Sequence, residues 1–139
     1  MITEVLRKLN LKDGMKGICL NSPDSFIKIL KGSEGRIQGE MDGRTGQVEF
    51  CMAFVLSRDD VKWTYELIKE KLVSDAVLWF CFPKKSSRRI QAEVSRDEGW
   101  ECLLMDDFLP VRSVAIDDDW SALRFRQRSN IPVLRRRTH

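Results

Sequence analysis

Residues 77–82 read Val-Leu-Trp-Phe-Cys-Phe, six apolar side chains in a row, and Pro83 follows. The run is too short for a buried helix and is rich in β-branched and aromatic residues, so it predicts a strand. A strand without polar alternation has both faces covered, the condition of a central strand in an α/β sheet. The segments after it extend this reading. Lys84-Lys-Ser-Ser87 is a basic loop. Ser95-Arg-Asp-Glu98 has the spacing of a capping box for a helix carrying Trp100, Leu103 and Leu104. Residues 111–116 and 120–125 are strand-like, and the short acidic link Asp117-Asp-Asp119 makes them an antiparallel pair.

The amino-terminal half alternates in the same way. Residues 2–12 place Val5, Leu6 and Leu9 on one side of a short helix. Residues 17–21 (Gly-Ile-Cys-Leu-Asn) read as the first strand. Ser22-Pro23-Asp24 then offers an N-cap, a proline at the first helical position and an early acid. Residues 36–41 predict an exposed edge strand and residues 48–56 a central one. Ser57 with Asp60 caps a helix whose buried stripe is Val61, Thr64 or Tyr65, Ile68 and Leu72. The expected fold is a three-layer α/β sandwich, Rossmann-like. Its mostly parallel sheet of about six strands ends in an antiparallel hairpin, with spatial order 2-1-3-4-6-5. The short link from Met41 to Gln47 leaves a hairpin of strands 2 and 3 as an alternative.

With 139 residues the chain is expected to form one domain, residues 1–128, followed by a basic tail, residues 129–139. The net charge of +3 is unevenly placed: residues 120–139 hold six arginines and no acid, so the remainder is net negative. No apolar run approaches the ~18 residues of a membrane span, and the first residues lack a signal core. Cys19, Cys51, Cys81 and Cys102 sit singly in apolar segments, which predicts core residues in a reducing cytoplasm. The one histidine is the terminal His139, so Ser-His-Asp, Cys-His and histidine–metal chemistry are not expected.

The order of elements resembles the class I methyltransferase variant of the Rossmann-like fold. The resemblance implies a glycine-rich loop after the first strand, but Leu20-Asn-Ser-Pro-Asp24 stands there. Proline removes an N–H donor, and neither a Gly-x-Gly nor a P-loop is present. No cofactor is therefore expected, S-adenosylmethionine included. Residues 83–87, 96–100 and 116–126 resemble a family of short, uncharacterised bacterial proteins, a domain of unknown function. That resemblance implies a bacterial cytoplasmic protein and brings no catalytic assignment.

The candidate ligand-binding residues are Ser22, Ser57, Lys84, Lys85, Ser86, Ser87, Arg96, Asp97, Asp117 and Trp120. Strand carboxyl ends and helix amino ends meet at one sheet edge, where lysines and hydroxyls suit a small anion. Arg88 and Arg89 extend the basic loop. No metal is expected, because adjacent aspartates rarely converge on one ion. The leading expectation is a small non-catalytic binding or interaction module, with a small anionic ligand or a protein as partner. One alternative is an enzyme acting on a phosphate- or nucleotide-bearing substrate, with Asp97 or Asp117 as base. Another is weak nucleic-acid contact through Arg135, Arg136 and Arg137.

Overall fold

The computed structural model describes residues 4–12, 14–33, 35–39, 45–87 and 90–132. In chain order these form α1 (Glu4–Lys8), β1 (Gly17–Leu20), a 3₁₀ turn (Asp24–Phe26), α2 (Ile27–Lys31), β2 (Ile37–Gln38) and β3 (Val48–Phe54). Then come α3 (Arg58–Ile68), β4 (Leu72–Pro83), α4 (Glu101–Met105), β5 (Phe108–Ala115), β6 (Trp120–Gln127) and a 3₁₀ turn (Arg128–Asn130).

One six-stranded sheet has the order β2-β1-β3-β4-β6-β5. The first three junctions are parallel, and β6 runs antiparallel to both β4 and β5. This is the expected order. β2 lies outside β1, so β2 and β3 do not form a hairpin despite the short link between them.

Alternation along the central strands builds two cores. Cys51, Ala53, Leu78, Phe80, Leu123 and Phe125 face α3 and α4, meeting Val61, Ile68, Trp100 and Leu103. Phe50, Met52, Phe54, Val77, Trp79 and Cys81 face the other side, against Leu6, Leu9 and Phe26. The apolar run of β4 is thus buried on both faces, as its composition requires. Trp79 ties the layers together: fully buried, its indole N–H donates to the Leu9 carbonyl at 2.7 Å.

Several local expectations give way. Pro83 remains inside β4, whose start lies at Leu72 rather than Val77. The early part of β4 is irregular: Val48 pairs with Leu72 but Phe50 with Val77, and Asp75 in between adopts φ 55°. Leu72 consequently belongs to a strand and not to the α3 stripe. Ser95 and Glu98 form a backbone turn instead of capping a helix, because Gly99 at φ 103° redirects the chain and α4 starts only after Trp100. A side chain at Gly99 would also strike Val94 at 2.4 Å.

Cys19, Cys51 and Cys81 are buried and unpaired, and Cys102 is half-buried. Burial pushes the Cys19 thiol up to about 12, so it carries no thiolate near neutrality. No helix among the described residues is long and apolar enough to cross a membrane. Ile131 is still buried, and residues 133–139, which carry the three tail arginines, lie outside the described residues.

Candidate functional site

The sheet has one topological switch point. After β1 the chain turns through residues 21–23 into the 3₁₀ turn and α2, which belong to the Phe26 face, and continues to β2 on the outer side. β3 adjoins the opposite side of β1 and leads through residues 55–57 into α3 on the other face. Chain leaving in opposite directions from two adjacent parallel strands opens a crevice at their carboxyl ends, the usual ligand position in open α/β sheets.

Three residues stand beside those strand ends or at the start of α2. Asn21 turns the chain in the left-handed region, φ 59°, and its side chain is exposed. That conformation is ordinary for glycine and accessible to asparagine. The turn expected from glycine is therefore made by Asn21, and the missing glycine motif does not remove it. Leu56, just beyond β3, and Ile27, at the start of α2, are large apolar side chains left 41% and 43% exposed. On the α2 face the edge is closed by a row of buried rings. Phe26 meets Phe54 at 5.1 Å and Phe54 meets Trp120 at 5.0 Å, both edge-on.

The residues expected to bind a ligand are distributed differently. Ser57 is a structural cap: its hydroxyl accepts from the Asp60 N–H at 3.0 Å, and the Asp60 carboxylate accepts from the N–H groups of Ser57 and Leu56. The Glu93 carboxylate accepts from the Arg58 N–H at 3.1 Å. The amino end of α3 thus already holds two carboxylates, which take up the Leu56, Ser57 and Arg58 N–H groups and oppose another anion. Ser22 is displaced by one position from the N-cap of the 3₁₀ turn, where Pro23 sits, and no side chain caps that turn.

The basic loop is fastened to the acidic turn. The Lys84 N–H donates to the Asp119 carbonyl at 2.8 Å, and the Ser87 hydroxyl donates to the Asp119 carboxylate at 2.9 Å. Asp117 accepts from the N–H groups of Asp119 and Trp120, both at 2.8 Å. It holds the hairpin turn, and those bonds oppose its use as a base. Trp120 is a core residue. Arg96 and Asp97 pair with each other at 3.5 Å, both largely exposed. Lys84, Lys85 and Ser87 do share one open cleft of about 460 Å³, completed by residues 90–95 and Glu98. Ser86 is exposed beside it, and Arg88 and Arg89 lie outside the described residues. Among the described residues no cluster of His, Cys, Asp and Glu could hold a metal ion.

Sequence reasoning missed Asn21, Leu56 and Glu93. Asparagine directly after a strand was the available signal for the first. Glu93 offered none, because its contacts with Arg58 and Leu56 span 35 residues or more.

The sequence matches no family model and no curated protein. Solved structures are similar in fold. A SAM-dependent methyltransferase from Aquifex aeolicus matches with a TM-score of 0.58 at 15% identity, over 87% of this chain and 86% of that one. The N-methyltransferase NodS from Bradyrhizobium japonicum WM9 gives 0.52 at 13% identity, over 88% and 92%. TrmK from M. capricolum, solved with S-adenosylhomocysteine, gives 0.50 at 10% identity, over 92% and 70%. The chain thus has a class I methyltransferase-like Rossmann fold. These likenesses contradict the expectation of a non-catalytic module: the three solved structures named here are methyltransferases.

Proposed function

We propose that this chain is a methyl-transfer enzyme that takes an adenosyl-bearing donor in the crevice between β1 and β3. The observation that carries the reading is the six-stranded sheet β2-β1-β3-β4-β6-β5 with its single antiparallel strand, in a fold similar over most of both chains to two methyltransferases. The residues present suit the donor. Asn21 supplies the left-handed turn that lets backbone approach a ligand, and its amide offers a donor and an acceptor to ribose hydroxyls. Leu56 and Ile27 offer apolar surface to an adenine ring. When bound, S-adenosylmethionine supplies an electrophilic methyl group on a sulfonium.

The chain's own groups orient the reactants. The Lys84 and Lys85 ammonium groups, on a cleft whose other wall carries Glu93 and Glu98, offer charge to the anionic part of a phosphate- or nucleotide-bearing acceptor. A reducing cytoplasm belongs to the same reading, supported by four unpaired cysteines.

The turn provides the test. Asn21→Gly keeps the left-handed conformation open, whereas Asn21→Val places a β-branched residue where it is strained. Calorimetry with S-adenosylhomocysteine is expected to show saturable micromolar binding to the unsubstituted chain and to Asn21→Gly. Asn21→Val should bind at least roughly tenfold more weakly, the equivalent of about 1.4 kcal/mol. Absence of saturable heat from the folded, unsubstituted chain at millimolar ligand would overturn the proposal.

A further inference from the structure

Away from that crevice, the closing hairpin pairs two arginines with no ion pair to either among the described residues. Arg112 on β5 and Arg124 on β6 are direct cross-strand partners, so their side chains leave the same face of the ribbon. Like charges in that position repel, and a structural role would ordinarily bring in a carboxylate. Asp75, the carboxylate that acts on Arg124, is committed: it accepts from Arg126 Nε and Nη2 at 3.0 and 2.7 Å. The Nε of Arg124 is buried and has no hydrogen-bond partner among the described residues. Burial first, then repulsion from Arg126 and Arg112, pushes the Arg124 guanidinium below the ordinary arginine value, against the pull of Asp75.

Edge protection explains part of this arrangement. β5 is an edge strand, and Pro110 and the exposed Arg112 discourage pairing with another chain. Arg124 lies one strand further in, where edge protection has no purpose. An under-satisfied, charged donor beside a second guanidinium costs stability. A phosphodiester on that face would compensate both guanidinium charges at once. Arg112 is exposed and Arg124 half-buried, so both charges meet a ligand at the surface, where the successive phosphates of an extended strand can engage them.

We propose that the Arg112–Arg124 face of the β5–β6 hairpin binds the phosphate backbone of single-stranded nucleic acid. This does not depend on the methyl-transfer reading, because the hairpin face is distinct from the β1–β3 crevice. The test uses the full chain and a labelled oligouridylate, with affinity measured by fluorescence anisotropy across a salt series. Arg112→Gln with Arg124→Met is expected to weaken binding roughly tenfold. The slope of log affinity against log salt should flatten by about 1.4, two contacts at ~0.7 each. Arg112→Gln alone, at an exposed position, should flatten it by about half as much while leaving the melting temperature unchanged, which covers the case of a double variant that folds poorly. Arg135→Gln, Arg136→Gln and Arg137→Gln together should leave measurable binding on the hairpin. The proposal is overturned if the hairpin variants retain the original affinity and slope, or if the tail variant alone removes all binding.

Discussion

Gly17→Ala is expected to destabilise the protein by about 3 kcal/mol, the upper part of the range for overpacked cores. Gly17 opens β1 and pairs with Ile37 on one side and Phe50 on the other. A Cβ there would lie 2.5 Å from the Phe50 carbonyl oxygen and 2.8 Å from the Phe50 Cβ. The nearest obstacle is a backbone oxygen and the next a Cβ that the backbone fixes, so relief requires β1 to move away from β3. That separation would disturb the two strands bordering the crevice. Thermal unfolding followed by circular dichroism should show the midpoint falling by roughly 10 °C. A midpoint within a degree or two of the parent would mean that β1 and β3 do not approach as described.

Trp79→Ala should have an effect of similar or greater size, about 4 kcal/mol from the cavity alone. The indole is fully buried in the centre of the sheet, and its N–H satisfies the carbonyl of Leu9, just beyond α1. Truncation empties the core and leaves that carbonyl unpaired. Trp79→Phe separates the two contributions, since it retains much of the volume but not the donor, and should cost about 1–3 kcal/mol. Urea titration gives both values. Amide exchange in residues 4–11 should accelerate in either variant, because the hydrogen bond fastens this segment to the sheet. Unchanged protection there would contradict the assigned role of Trp79.

What could be read in advance divides along physical lines. The unbroken apolar run at residues 77–82 required a doubly covered strand, and the strand order followed from its alternation with helices. The Ser57–Asp60 box was legible because capping is local in sequence. Other features depend on backbone conformation or distant partners. Residues 72–76 carry no continuous apolar pattern, since β4 is irregular there and places Asp75 beside Arg126. Ser95 to Glu98 has the composition of a capping box but is diverted by the left-handed Gly99. The sheet edge itself was legible through Ser22 and Ser57, but the turn at Asn21 was not, because the expected signal was glycine, whereas asparagine adopts the same region of φ. The anion edge looked stronger in sequence than in structure, because Asp60, Glu93 and Asp119 already occupy the donors of Ser57, Arg58, Lys84 and Ser87. Arg112 and Arg124 became neighbours only through a register that shifts between Pro110 and Arg112.

On the proposed methyl-transfer reading, an adenosyl ligand lies between the carboxyl ends of β1 and β3. The most direct test of that reading is a backbone-amide NMR titration of the full chain with S-adenosylhomocysteine. The account predicts saturable shifts concentrated at residues 20–27 and 55–58, with the hairpin tip at 117–119 little affected. Shifts absent at saturating ligand, or confined to residues outside the two segments bordering the crevice, would contradict it.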